Sequence, residues 1–192
     1  MKYNNFFKKY SNSISSLLNE VDSNLIDQSV ELIKKKIISN NTIYIIGNGG
    51  SASIASHVSV DFAKVAKVRS LTFNNSNLIT CFANDYEYKN WVTEAIKTYC
   101  LKEDLLILIS SSAKSLNIIN AARYCQEHDI DLITLSGFNK DNVLSNFGKV
   151  NFHVNSENYN HIEMTHHIIL VSIVDIFAKR ILLWKSIFKP IF

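Results

Sequence analysis

The sequence predicts an α/β protein: a three-layer αβα sandwich with a five-stranded parallel sheet of flavodoxin-like type, preceded by a pair of helices. Three observations carry this. Short apolar, β-branched runs alternate with longer stretches of helical periodicity, the pattern of βαβ units. The strand candidates are unbroken apolar runs, as in strands covered on both faces. The one proline, Pro190, lies at the far end of a 192-residue chain holding five glycines, so little interrupts the regular elements. The length fits a single domain over residues 1–192, with helices over 1–40 and the α/β core over 41–192.

Residues 3–39 contain no glycine or proline, and Phe6, Phe7, Ile14, Leu17, Leu18, Val21, Leu25, Val30 and Ile33 recur at helical spacing. They predict two helices with a break near Ser23–Asn24. Thr42–Ile46 is apolar and β-branched and ends at a glycine, a buried strand followed by a helix from about Ser51 to Lys67. Asp104–Ile109 and Asp131–Leu135 have the same character, each followed by a polar loop and a helical pattern. Ser70–Phe73 and Val150–Val154 are weaker strands, and a last helix is expected from about His161 to Trp184.

The formal charge is +3 at pH 7, too small and too dispersed for a nucleic-acid-binding stripe. Lys34, Lys35 and Lys36 are read as a solvated helix end. No run reaches the ~18 apolar residues of a membrane span. Ile168–Leu183 comes nearest and is broken by Ser172, Asp175, Lys179 and Arg180. Cys81, Cys100 and Cys125 have no CxxC spacing and read as reduced thiols of a cytoplasmic protein. Ile181, Leu182, Leu183, Trp184, Ile187 and Phe188 form an apolar end that suits a subunit contact.

In a parallel sheet of this kind ligands bind beyond the carboxyl ends of the strands, so the loops after Ile46 and Ile109 are the places to look for chemistry. The first is Gly47-Asn48-Gly49-Gly50-Ser51. Its glycines allow a tight turn and close backbone approach, and the helix beyond offers N–H groups to an anion. A plain strand-to-helix turn with Ser51 as N-cap is the simpler reading. The second is Ser110-Ser111-Ser112-Ala113-Lys114-Ser115. Ser110, Ser111, Ser112 and Ser115 bring hydroxyls and free amides suited to a phosphate, with Lys114 to add charge. Capping and turn formation alone would also suit serine.

These loops in this order, with Asn84-Asp85-Tyr86 after the second strand, resemble the SIS family, and more narrowly its phosphoheptose isomerases. His57, seven residues after Gly50, strengthens the narrower likeness. The resemblance implies isomerisation of sedoheptulose 7-phosphate to D-glycero-D-manno-heptose 7-phosphate, in lipopolysaccharide or capsule sugar synthesis. It also implies a cytoplasmic homotetramer with sites at subunit interfaces. Asn48, Gly49, Gly50, Ser51, Asp85 and Glu163 would join the four serines in holding the substrate. His57 takes the place of a zinc ligand, and Asp61 that of a glutamate that binds zinc and acts as base. Glu163 stands where the family has a zinc-binding glutamine, and Ala113-Lys114 replace a Gly-Asn. The family's catalytic histidine falls at Val171, which neither binds metal nor moves a proton.

His57/Asp61 and Glu163/His167 are both spaced i, i+4, so each pair shares a helix face. Brought together, the two pairs would offer four N/O ligands to zinc, or a mixed metal and acid–base site, with Asp61 as base and His167 as acid. Alternatively, His166 and His167 are ordinary helix residues, one buried and one exposed. A non-catalytic SIS protein that senses phosphosugars or binds a partner, of the kind associated with replication initiation, remains the other reading. Val171 favours it, while His57, Asp61 and Glu163 favour the enzyme.

Overall fold

The computed structural model describes residues 3–187, with side chains through Lys179. Two helices, α1 (Asn4–Asn19) and α2 (Ser23–Ile38), lead into β1 (Ile43–Gly47) and α3 (Gly50–Lys64). Then come β2 (Ser70–Leu71), α4 (Ser76–Tyr86), α5 (Trp91–Tyr99), β3 (Leu105–Ser110) and α6 (Leu116–Glu127). The chain closes with β4 (Asp131–Gly137), a 3-10 turn at Val143–Asn146, β5 (Val150–Val154) and α7 (Tyr159–Ile187). The break between the first two helices is set by Asp22, whose carboxylate accepts the Asn24 N–H at 2.9 Å. Asn75 and Asn158 cap α4 and α7 in the same way.

All five strands are parallel, in the order β2-β1-β3-β4-β5. Their side chains alternate between two cores. Ile43, Ile45, Leu105, Ile107 and Ile109 meet α2, α3 and α7 on one face. Tyr44, Ile46, Leu106 and Leu108 meet α5 and α6 on the other. The three-layer expectation holds. The apolar part of α7 has mean hydropathy 1.3 over Tyr159–Lys179, long and apolar enough to cross a bilayer. Here that stretch packs on the sheet and on α1, α2 and α3, with Ile169, Leu170, Ile173 and Val174 buried. The apolar end from Ile181 to Phe188, read as a subunit contact, lies outside the described side chains.

Asn84–Tyr86 follows β2, as expected, and forms the last turn of α4, the helix started by Asn75. One expectation is corrected. Lys36 is not solvated: it is 9% exposed, and its ammonium reaches Asp131 Oδ2 and the Glu103 carbonyl, both at 2.6 Å. Lys149 pairs with the other Asp131 oxygen. These charges sit at the amino end of the sheet, where β4 begins.

Burial pushes the Asp131 carboxyl up, but hydrogen bonds and charge from Lys149 and Lys36 outweigh this and hold it below its ordinary 3.8. Asp131→Asn strands the Lys36 ammonium and should cost about 3 kcal/mol of unfolding free energy at pH 7. A carboxyl depressed in the folded state stabilises above its unfolded value and loses that contribution as pH falls through the folded one. Urea denaturation of wild type and variant should therefore converge below pH 3.8.

Candidate active site

Strand order reverses between β2-β1 and β3-β4-β5, and the crevice opens where β1 lies beside β3. Gly47 is paired with Ile109, so the glycine loop and the serine loop leave the sheet side by side. Gly49 has φ +55° and ψ −122°, a conformation closed to other residues, and it turns the chain directly into α3. A Cβ on Gly50 would run into the Glu163 carboxylate, so the first turn of α3 and that side chain touch.

Between the loops lies a cavity of about 220 Å³, walled by Asn48 to Ser51, the four serines, Tyr159 and Glu163. The Ser110 and Ser111 hydroxyls are buried there without any hydrogen-bond partner. Such groups cost about 1–3 kcal/mol each unless something satisfies them. Ser115 has N-cap backbone geometry, yet its hydroxyl makes no capping bond, and α3 likewise has no side-chain cap. Unpartnered hydroxyls and two open helix N-termini facing one cavity make an anion cradle. Ala113 turns the serine loop at φ +51° with its methyl buried, a strained position for an L residue. A larger cleft of about 560 Å³ under α4 is lined by apolar and aromatic side chains together with Thr72, Asn75 and Asn77, away from the two loops at the strand ends.

Asn48 forms a reciprocal amide pair with Asn117, 2.9 Å in each direction, and its Oδ1 also accepts the Tyr88 hydroxyl at 3.3 Å. Asn117 lies in the first turn of α6 and is 2% exposed. Asn117, Tyr88 and Tyr159 were not among the sequence candidates, because none of them carries a recognisable spacing.

Beyond the cradle, α3 and α7 run side by side in the same direction: Gly50 meets Glu163, and His57 meets His167. His57 Nε2 is 3.1 Å from Asp61 Oδ2, and its Nδ1 is 2.7 Å from His167 Nε2. With Asp61 ionised and both rings neutral, His57 donates to Asp61, so its Nδ1 must accept from His167. Burial and the neighbouring His57 push His167 below its ordinary 6.5, against the pull of Asp61. Burial pushes the Glu163 carboxyl above its ordinary 4.5. His166, one residue before, points into the core, donates to the Ser136 carbonyl at 3.0 Å and is driven down to about 4 by burial. Val171 packs against the apolar core.

Of the two i, i+4 pairs, Asp61, His57 and His167 come together as a hydrogen-bonded chain, while the Glu163 carboxylate lies against Gly50. Their donor types suit zinc. The 2.7 Å between the two ring nitrogens, however, is shorter than the roughly 3.3 Å between two ligands of a tetrahedral zinc. Among the described residues no three His, Cys, Asp or Glu side chains converge on a point that would hold an ion. Zinc there would require the rings to part. Two further placements differ from expectation. Asp85 is on the exposed side of α4, bonded to Asn84 and Cys81, and does not line the cavity. Lys114 is exposed and also lies outside the cavity lining.

The orphaned hydroxyls make a direct forecast. Ser110→Ala and Ser111→Ala should leave the ligand-free protein as stable as wild type or more stable by about 1 kcal/mol. Urea denaturation reads this, and a clear loss of stability would show that the hydroxyls are bonded in solution.

Comparison with known proteins agrees with this fold. A family model described as SIS domain matches residues 5–137. Phosphoheptose isomerase 2 of Campylobacter jejuni is 34% identical over 128 residues, 60% of this chain and 62% of that protein's length. The phosphoheptose isomerase of Thermodesulfovibrio yellowstonii is 30% identical over 162 residues, 79% of this chain and 80% of that protein. The solved phosphoheptose isomerase from Neisseria gonorrhoeae superposes with a TM-score of 0.83 at 19% identity, covering 93% of this chain and all of that one, a likeness of fold. The family match runs across the glycine loop, His57, Asp61 and the serine loop, and the chain belongs to the SIS-domain family, related to the phosphoheptose isomerases.

Proposed function

We propose that this chain is an aldose–ketose isomerase of a sugar phosphate, converting sedoheptulose 7-phosphate into D-glycero-D-manno-heptose 7-phosphate. The observation that carries the reading is the juxtaposition of an anion cradle holding buried, unpartnered hydroxyls with an Asp–His–His chain on the two helices that flank it. The phosphate sits on Ser110, Ser111, Ser112 and Ser115 and on the first amides of α3. Holding this remote group orients the reacting carbons and supplies binding energy for the chemical step.

Asp61 takes the proton from C1 of the ketose, and the pair of electrons left behind forms the C1–C2 double bond of an enediolate. The same carboxyl returns the proton to C2. His167 carries the hydroxyl proton from O1 to O2, so the product is the aldose with no net gain or loss of atoms. His57, bonded to both His167 and Asp61, holds the His167 ring in place and fixes which of its nitrogens carries the proton. His167, held below 6.5, is neutral at pH 7 and free to accept as well as donate. Val171, half-buried against the core where the family has its catalytic histidine, supports a second reading, a phosphosugar-binding SIS protein without turnover. We extend the proposal to a homotetramer with sites near subunit boundaries. His57 is half exposed, and Phe6 and Phe7 on α1 are each 68% exposed, as contacts to further copies would explain.

Asp61→Asn and His167→Ala should each lower kcat for sedoheptulose 7-phosphate by about 10²-fold or more while the substrate still binds. Asp61→Glu should retain more activity than Asp61→Asn, because it keeps the carboxylate. Binding by wild type without turnover would establish the second reading. No ion takes part in the step as proposed, so a chelator should leave turnover intact. Turnover abolished by chelation and restored by zinc would place an ion between the two rings.

A further inference from the structure

The reciprocal amide pair behind the cavity has a direction. An asparagine side chain has two N–H donors and two acceptor lone pairs. On Asn48 both lone pairs are taken, one by Asn117 Nδ2 and one by the Tyr88 hydroxyl, and one N–H is taken by Asn117 Oδ1. A single N–H is left at a residue that lines the cavity. Asn117 is buried at the start of the helix that follows the serine loop, so the pair ties that loop to the glycine loop across 69 positions of sequence. One turn further along α6, Asn120 donates to the Lys89 carbonyl at 3.0 Å and to Asn90 Oδ1 at 3.2 Å. This fixes to the same helix the short segment that carries Tyr88.

We propose that Asn117 and Tyr88 are positioning residues: they lock the Asn48 amide so that it presents one donor, and no acceptor, to an oxygen of the bound sugar phosphate. The inference rests on the functional reading above and adds residues to it. The site consequently favours an acceptor oxygen, on phosphate or sugar, at that point, and rejects a ligand that offers a donor group there.

The test uses the full chain, titrated by calorimetry with sedoheptulose 7-phosphate and with inorganic phosphate, alongside urea denaturation. Tyr88→Phe removes one hydroxyl from a residue that is 56% exposed, so its unfolding midpoint should match wild type. Its affinity for the sugar phosphate should fall by about threefold, and that of Asn117→Ala by about tenfold, the range of one or two modest hydrogen bonds. The double variant Asn48→Ala/Asn117→Ala should bind no worse than Asn48→Ala alone, because Asn117 acts only through Asn48. In turnover the single variants should raise KM more than they lower kcat, with the pH profile unmoved. Wild-type affinity in both single variants, or losses that add in the double, would overturn the inference. A wild type that binds neither probe overturns the functional reading instead. Amide exchange at Ala52 and Ser53, whose N–H groups donate to the Asn48 and Gly49 carbonyls, then still judges the lock: faster exchange in Asn117→Ala upholds it, and unchanged exchange overturns it.

Discussion

The parallel pairing of β1 with β3 is the constraint on which the site depends. Its register sets Gly47 against Ile109, and everything above that pair follows from two chains leaving the sheet at the same height, one strand spacing apart. Both continue into helices whose first amides turn back over the strand ends. The third wall comes from α7, which enters from the far edge of the sheet and lies along α3. Glu163 and His167 are thereby placed against residues more than a hundred positions earlier in the chain.

The cavity is held in a condition that the chain alone does not favour. Two buried hydroxyls go without partners, and an alanine accepts left-handed geometry to turn the loop that bears them. Each feature costs on the order of 1–3 kcal/mol. Two dry cores, one on each face of the sheet, offset that cost, with strand residues such as Ile45, Leu106 and Ile107 at most 1% exposed. A site rigid enough to hold such features before its ligand arrives has little reorganisation left to do on binding.

Much of this was legible in the sequence, for reasons that can be named. The strands are strongly apolar and short, and glycine and serine loops mark their ends, so the layer order and the cradle followed from local pattern. The i, i+4 spacing of His57/Asp61 and Glu163/His167 showed which residues share a face, and α3 and α7 do bring those faces together. The reading ran out where position depends on a tertiary partner. Lys36 belongs to a charged run, and only the start of β4 turns it inward. Asp85 was expected at the substrate by resemblance alone, and nothing local showed that α4 would carry it on its exposed side. Asn117 is one asparagine among many, and its value exists only opposite Asn48. His166 and His167 are adjacent in sequence but about 100° apart around the helix, which sends one ring to the core and the other to the site.

The sheet divides its polar residues between its two ends. At the amino end, Lys36 and Lys149 are both turned to Asp131. At the carboxyl end, serines and asparagines keep donors in reserve. The two groups are separated by the full length of the strands and by an apolar interior that carries no charge between them. The lower end is therefore an anchorage that sequence drift can strengthen or relax without retuning chemistry. The upper loops are where this scaffold can change what it recognises while the foundation stays fixed.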